Sequence, residues 1–299
     1  PVAPEISAAR AGAIPDAAQV RRQATRQLVR LPLEVYRGVD ELLRPRLRSQ
    51  LTWWKRDSAR RPVVPKTVFN AAITRDRALV FASLPVEQII EVKVAFGVSL
   101  NDVVLALVGT SLRDYLLKRG CLPEDSLRTI IAISLRDDDE RGFGNRVTNA
   151  AVTLGTNLRD PRQRLAAIHA ESSDAIRRAR ASGSGKSIVD AVQHLPPLLV
   201  NAIVQYSTAD QAPELLGANL AVSNMRGSSE PLYVAGVPIE NMYPMSIIGE
   251  GVGINVTCIS YAGSMEFGLT LAPDLVPDPW QLADGLARAL ARYRQLARS

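Results

Sequence analysis

The most regular part of the sequence is the run Ser99-Leu100-Asn101-Asp102-Val103-Val104-Leu105-Ala106, which continues in mostly apolar residues to Arg119. Ser99 is a preferred N-cap residue, Asp102 lies three positions later as a capping box requires, and Gly120 is a typical helix stop. The sequence therefore predicts a helix over residues 99–119. Ser99, Asn101 and Asp102 together offer more hydrogen-bonding groups than capping needs, and we expect the surplus to brace a neighbouring site.

Strand and helix patterns alternate on both sides of this helix. Upstream we predict a strand over residues 77–84 and a short helix over 85–96 that Gly97 ends. Downstream we predict strands over 127–135, 146–154, 219–223, 247–260 and 264–271, and helices over 161–181, 187–207 and 280–297. A tight turn at Ala262-Gly263 joins the last two strands. The pattern lacks internal repeats and barrel spacing, and it predicts an α/β fold of the layered α+β kind.

The basic charge of the chain is concentrated at its start. Residues 1–62 contain 13 Lys and Arg against 6 Asp and Glu, whereas the net charge of the whole chain is +6. Because these arginines alternate with apolar residues and with Trp53 and Trp54, we interpret 1–62 as a basic helical linker or crossover segment and 63–299 as the compact part. Such a segment suits an anionic lipid surface, and a solvated helical face is the alternative. Nucleic acid binding is not predicted, because no recognised reader motif accompanies the charge.

Several other classes of protein are disfavoured by the sequence. No run approaches the roughly 20 apolar residues of a membrane span. Cys121 and Cys258 are too few for a disulfide framework, and neither suggests a zinc site, so we predict a cytoplasmic location, with peripheral contact to the inner membrane or lipid inclusions left open. The acidic run at residues 137–140 is interpreted as a solvated turn, and residues 183–187 lack the upstream glycine of a phosphate loop. We predict no metal site.

Two segments hold candidates for chemistry: the helix start at residues 99–102, described above, and the strand around residues 221–224. The strand around Ala221 and Val222 ends in Ser223-Asn224, which either aims donors at a developing oxyanion or forms an ordinary turn. His169 and His194 are the only histidines. Neither has a nearby Ser, Cys or carboxylate in the sequence that suggests activation, so we interpret both as structural.

Several of these segments resemble, in order, motifs of the wax ester synthase/diacylglycerol acyltransferase family. The matching stretches cover roughly residues 60–299. They are Pro65-Lys66-Thr67-Val68-Phe69-Asn70, Asn101-Asp102-Val103-Val104-Leu105-Ala106, Gly144-Asn145-Arg146-Val147, Ser223-Asn224, Pro231-Leu232-Tyr233, Met242-Tyr243-Pro244, the hairpin from Gly253 to Gly263, and Leu275-Val276-Pro277-Asp278. The resemblance implies the C-terminal lobe of a chloramphenicol acetyltransferase-like fold, with acyl-CoA as co-substrate and no tightly bound cofactor.

The resemblance also implies roles for particular residues. Asn101 and Asp102 match a motif expected to hold the active-site architecture, and Ser223 and Asn224 match a strand-end pair expected to support the tetrahedral intermediate. The residues Met242, Tyr243, Met245 and Ile247 are expected to line an acyl or alcohol tunnel. Arg75 and Arg77 are candidates for contacts with CoA phosphates.

The resemblance implies an O-acyltransferase that makes triacylglycerol or wax esters from acyl-CoA and diacylglycerol or a fatty alcohol. The family's catalytic His-His-x-x-x-Asp-Gly motif does not occur in these 299 residues. We therefore expect the catalytic histidine on an N-terminal lobe that acts as a partner, and we expect the chain to be inactive without it. A non-catalytic lobe that binds lipid or acyl-CoA is the alternative, and a condensation-type or carrier-dependent transferase is a third hypothesis.

Overall fold

The computed structural model describes residues 63–134, 147–181 and 212–299, together with Asp16. Except for Asp16, these residues belong to one compact unit, which comprises residues 59–185 and 205–299. A second unit comprises residues 1–58 and 186–204. Several predictions lie outside the described residues: the basic helical segment 1–62 apart from Asp16, the acidic turn at 137–140, the loop at 183–187, the helix at 187–207 and the role of His194.

Strands and helices alternate along the described chain. The strands are β1 (Ala78–Pro85), β2 (Arg128–Ser134), β3 (Val147–Thr153), β4 (Leu220–Arg226), β5 (Tyr233–Val234), β6 (Val237–Pro238), β7 (Ile254–Tyr261) and β8 (Ser264–Leu271). The helices are α1 (Val86–Phe96), α2 (Leu100–Lys118), α3 (Pro161–Ala181), α4 (Ala212–Leu216) and α5 (Trp280–Arg298).

Six strands form one mixed sheet in the order β1-β8-β7-β4-β2-β3. The strands β7, β4 and β2 are parallel, and the outer pairs are antiparallel. The strands β5 and β6 form a separate small hairpin. The layered α/β architecture predicted from the sequence is therefore confirmed.

The helices α1, α2 and α5 pack together on one face of this sheet, with α2 at the centre of the core. Val108 of α2 and Leu282 of α5 line one small apolar cavity with Val256 and Leu269 of the sheet. The Ser111 hydroxyl of α2 donates a hydrogen bond of 2.7 Å to the Leu282 carbonyl of α5. The nearly complete burial of α2 explains why its sequence is apolar all round.

The opposite face of the sheet, called the outer face below, is crossed by residues 239–248, called the covering segment. Tyr243 of this segment stacks on Phe81 of β1 with 4.7 Å between the ring centroids. The Pro244 carbonyl lies so close to Gly268 of β8 that no side chain would fit between them. The backbone of the covering segment thus rests directly on the sheet.

Most element boundaries agree with the sequence prediction, and the exceptions cluster in one region. The strand predicted over residues 247–260 is wrong at its start, because β7 begins at Ile254. Gly249 and Val252 form an isolated bridge and Gly251 has a φ of 71°, so the chain turns there before it enters the sheet. The strand β4 continues to Arg226 beyond the predicted end. The sequence prediction missed α4, β5 and β6.

Two local predictions are confirmed in detail. Ser99 and Asp102 form the complete capping box of α2. The turn between β7 and β8 has positive φ angles at both Ala262 and Gly263, as a two-residue hairpin turn of this kind requires.

Within residues 63–134, 147–181 and 212–299, no individual helix has the length and apolarity to cross a bilayer. The helices α1 and α2 meet both conditions only as a pair, which bends by 103° at the junction.

Candidate functional site

The buried carboxylate of Asp102 is the centre of a polar cluster formed by Ser99, Asp102, His169 and Ser172, called the Asp102 cluster below. Oδ2 accepts hydrogen bonds from the Ser99 backbone N–H at 2.9 Å and from His169 Nδ1 at 2.8 Å. Oδ1 accepts one from the Ser172 hydroxyl at 2.5 Å. The Asp102 side chain is only 1% exposed. Three donors therefore converge on one buried carboxylate.

These contacts determine the charge state of Asp102. Burial by itself would raise the pKa of the carboxyl group, but hydrogen bonds from Ser172, His169 and Ser99 outweigh it and hold the pKa below its ordinary value. The first turn of a helix also favours a negative charge at this position. Asp102 is consequently ionised at neutral pH.

The Asp102 cluster joins two antiparallel helices. Arg164 near the start of α3 donates to the Thr110 hydroxyl of α2 at 2.7 Å, and eight residues earlier on α2 Asp102 meets His169 and Ser172 further along α3. Farther along α2, Tyr115 packs against Phe69, whose carbonyl accepts from Gly253 just before β7. The C-terminal half of α2 therefore lies near the amino end of β7.

The sheet separates the two members of the Ser223-Asn224 pair. Neighbouring residues of a strand face opposite sides, and Ser223 is in register with Thr257 whereas Asn224 is in register with Cys258. Cys258 is fully buried on the helix side, and Thr257 is in register with Gly268 of the outer face. Asn224 thus shares the helix side with Asn101 and Asp102, and Ser223 faces the other way.

The residues expected to line a tunnel lie on the outer face with Ser223. Phe81, Gly268, Thr257 and Ser223 form one row across four neighbouring strands, and the covering segment lies over the first two. Ser223 is two strands from Gly268, or about 10 Å. Met242 and Tyr243 are partly buried, whereas Met245 and Ile247 are 60% and 90% exposed.

A buried carboxylate that the sequence analysis did not single out lies beneath the covering segment. Glu266 of β8 accepts hydrogen bonds from the Ser83 hydroxyl at 2.9 Å and the Asn241 amide at 3.2 Å through Oε1. Its Oε2 has no hydrogen-bond partner among the described residues. Burial, with the Glu266 charge nearby, raises the pKa of Tyr243. The alternation of polar Glu266 with apolar Met265 and Phe267 is the sequence signal for an outward-facing residue.

Arg75 and Arg77 make no hydrogen bond or ion pair with the Asp102 cluster among the described residues. Both are exposed just before β1, whose first residue is in register with Leu271 at the end of β8 and thus lies at the amino end of β7. Nη1 of Arg77 donates to the backbone carbonyls of Thr74 and Asp76 at 2.6 and 2.8 Å. The structure therefore places these arginines at the amino end of β7.

The structure gives His169 a partner that the sequence did not predict. No carboxylate adjoins it in the sequence, but in the structure Asp102, 67 residues earlier, lies 2.8 Å from its Nδ1. The i, i+3 spacing of His169 and Ser172 on α3 was the available signal, because it places both side chains on one helix face. Among the described residues, no group of three or more His, Cys, Asp or Glu side chains could hold a metal ion.

The ionised state of Asp102 makes stability depend on pH. Because the folded-state pKa is depressed, the contribution of this carboxylate is present above its unfolded value of 3.8 and is lost as pH falls through the lower folded value. The difference in unfolding free energy between the wild type and Asp102→Asn should therefore shrink as pH falls from 5 to about 2. Urea unfolding at several pH values measures it. A difference that stays constant over this range would contradict the ionised assignment.

Comparison with known proteins gives consistent matches. Residues 2–104 match the model of the wax ester synthase/diacylglycerol acyltransferase catalytic domain, and residues 143–294 match the model of the WS/DGAT C-terminal domain. The first match extends the resemblance into the basic segment, which the motifs alone did not cover. Both models belong to one family of acyltransferases. The chain belongs to the wax ester synthase/diacylglycerol acyltransferase family.

Individual relatives agree with this assignment. Two proteins of Mycobacterium tuberculosis strain H37Rv, provisionally named diacylglycerol O-acyltransferases, are 32% and 33% identical over 226 residues; these cover 76% of this chain and 45% and 50% of the relatives. The solved wax ester synthase/diacylglycerol acyltransferase from Marinobacter aquaeolei VT8 is 26% identical, with a TM-score of 0.61 over 90% of this chain and 57% of that one. The expected acyltransferase-type fold is thus confirmed. The chain spans about half the length of the curated relatives.

Proposed function

We propose that this chain is the C-terminal half of an O-acyltransferase that transfers an acyl group from acyl-CoA to diacylglycerol or a long-chain alcohol. The observation that carries the proposal is that two models of one acyltransferase family match in order along the chain. The proposal also divides the chain into a basic helical segment, residues 1–62, and the C-terminal lobe, residues 63–299. Acyl-CoA is a co-substrate in it, and no tightly bound cofactor is involved.

In this proposal, residues of two lobes take part in the reaction. A histidine of the paired motif on the N-terminal lobe takes the proton of the alcohol as its oxygen attacks the thioester carbon, and the CoA thiolate leaves. Since Ser223 and Asn224 face opposite sides of the sheet, their side chains do not converge on one oxyanion. We assign the donor role to Ser223, on the same face as the covering segment, and a bracing role to Asn224, on the side of Asn101 and Asp102. The covering segment then forms a wall of the tunnel.

The β5–β6 hairpin supports the presence of a partner lobe. Leu232, Tyr233, Val234 and Val237 are all exposed, and Ile247 of the covering segment is exposed as well. Between Arg226 and Ala287 the chain has no Lys or Arg, whereas Glu230, Glu240 and Glu250 flank the apolar residues. This charge pattern does not suit an anionic membrane, which attracts basic residues. A protein surface from the other half of the relatives' length is the occupant we propose.

The proposed contacts with CoA lie just before β1. Arg75 and Arg77 stay candidates for the phosphates, although Arg77 already engages two backbone carbonyls. The position of both at the amino end of β7 requires CoA to approach that end of the sheet. The basic segment of residues 1–62 is the part of the chain that we assign to a lipid surface, either the inner membrane or lipid inclusions, in a protein that we place in the cytoplasm.

The test compares residues 1–299 with the protein encoded by the whole reading frame that contains them. Release of CoA from palmitoyl-CoA is measured with 1,2-dioleoylglycerol or hexadecanol as acceptor. We expect acceptor-dependent release by the whole protein and none by residues 1–299. Turnover by residues 1–299 would disprove the need for a second lobe. Binding of palmitoyl-CoA without turnover by either protein would support the binding-lobe alternative, and a preference for carrier-bound acyl groups would support a condensation-type transferase.

A second experiment tests whether the β5–β6 hairpin is the docking surface for the other lobe. When residues 1–299 are mixed with the remaining part of that protein, Tyr233→Asp should weaken their association. Val94→Asp is the matched control, because Val94 is an exposed apolar residue of α1 on the helix side. Equal effects of the two variants would argue against the hairpin as the docking surface.

A further inference from the structure

The contact between His169 and Asp102 joins an accessible base to a buried acid. The His169 side chain is 42% exposed and the Asp102 side chain 1%. Because the ionised carboxylate can only accept hydrogen bonds, the bond at Nδ1 requires the proton on that nitrogen. The neutral imidazole therefore has its Nδ1–H form fixed by Asp102 and leaves Nε2 as an acceptor.

The same contact fixes the relation of two helices. Asp102 lies in the first turn of α2, and His169 and Ser172 lie on successive turns of α3. The bond from Arg164 to Thr110 ties the helices together again eight residues, or about 12 Å, along α2. Two attachment points define both the separation and the register of α2 against α3, and only the Asp102 cluster lies at the end that carries Asn101.

We propose that His169 is a positioning residue for acyl transfer, which through its Nδ1 bond to Asp102 holds the first turn of α2 in place. This inference rests on the proposed function. Asn101, adjacent to Asp102, belongs to this turn, and Asn224 of β4 lies on the same side of the sheet. A displacement of about 1 Å at a catalytic geometry can cost about 100-fold in rate. The role assigned to His169 is therefore in the rate of the chemical step and not in substrate affinity.

Two substitutions distinguish the role of Nδ1 of His169 from that of Nε2. The amide nitrogen of His169→Asn occupies nearly the place of Nδ1 and can still donate to Asp102, whereas His169→Ala removes the donor. In the whole protein we expect His169→Ala to lower kcat about tenfold or more with little change in KM, and His169→Asn to restore most of the loss. Equal activity of His169→Ala and the wild type would overturn the inference. Equal impairment of the Ala and Asn variants, both folded, would also overturn it, because Nε2 would then be the group required.

A control on the same helix distinguishes positioning from general loss of stability. Glu171 of α3 accepts hydrogen bonds from Arg128 and from the Thr153 backbone, away from Asp102. Glu171→Gln should lower the melting temperature and leave kcat unchanged. A fall in kcat equal to that of His169→Ala would show that any weakening of α3 suffices, and it would overturn a specific role of His169.

A spectroscopic measurement tests the bond without any assay of activity. In residues 1–299 labelled with ¹⁵N-histidine, only two imidazoles contribute, and His169→Gln identifies the signal of His169. We expect neutral His169 in the Nδ1–H form, and the Nε2–H form would overturn the inference. Absence of acyl transfer in the wild type and every variant would overturn the proposed function. Transfer that is insensitive to His169→Ala would overturn the positioning role alone.

Discussion

Substitution of Arg164 by Met is expected to lower the free energy of unfolding by about 3 kcal/mol. Arg164 has no exposed surface, and its guanidinium donates to the Gly155 carbonyl at 3.2 Å, the Thr110 hydroxyl at 2.7 Å and the Leu158 carbonyl at 2.6 Å. Methionine fills most of the volume but satisfies none of these acceptors. Each buried group left without a partner costs about 1–3 kcal/mol, and relief from burying a cation offsets part of the sum.

The matched control is Arg162→Met on the same helical turn. The Arg162 guanidinium also donates to a backbone carbonyl, that of Leu296, but the residue is exposed, so water can replace the lost bond. We expect a loss of less than about 1 kcal/mol for this variant. Urea unfolding followed by circular dichroism compares the two. Similar losses would mean that Arg164 is not buried between α2 and α3 as the structure shows.

The contrast between these arginines shows where the sequence is insufficient. Both occur in Pro161-Arg162-Gln163-Arg164, and the sequence correctly predicts the helix that starts there. Which arginine is buried depends on Thr110, 54 residues earlier, and on the turn at Gly155. Local patterns of capping and periodicity are therefore sufficient for elements such as α2, α3 and β8. They do not contain the pairing of side chains on different elements.

The candidate site shows the same difference between local patterns and contacts between distant elements. The capping box of Ser99 and Asp102 is local, and the sequence predicts it. The bond from His169 to Asp102 depends on the antiparallel packing of α2 and α3, so the sequence around His169 does not identify its partner. The separation of Ser223 from Asn224 was in principle available, since adjacent strand residues face opposite ways. It was missed because the strand was predicted to end at Ser223, whereas β4 continues to Arg226.

These positions divide the proposed site between two sides of one sheet. The ionised Asp102, with Asn101 and Asn224, lies on the helix side, where burial in a packed core fixes geometry. Ser223 and the covering segment lie on the outer face, where apolar residues are exposed and can contact the second lobe. We infer that the helix side supplies rigidity, whereas the outer face supplies the surface that substrates and the second lobe meet.

The close approach of the covering segment to β8 makes Gly268→Ala the second large effect. A Cβ atom at residue 268 would lie 1.7 Å from the Pro244 carbonyl oxygen, and both groups belong to the backbone, so no flexible side chain can yield. The covering segment would have to lift. The stacking of Tyr243 on Phe81 and the hydrogen bond from Asn241 to Glu266 would weaken with it. Overpacking of this kind costs about 2–3 kcal/mol.

The control for this prediction is Gly249→Ala, just after the covering segment, where a Cβ atom would have no neighbour within 4 Å. Neither glycine has a positive φ, so the two variants differ in the collision and not in backbone strain. We expect a change within about 0.5 kcal/mol for Gly249→Ala. For Gly268→Ala we also expect faster hydrogen exchange at the Ile239 amide, which donates to the Leu232 carbonyl at 2.8 Å, because lifting the covering segment weakens this bond. Equal stability and exchange in both variants would show that the backbone does not rest on the sheet, and the proposed tunnel wall would lose its support.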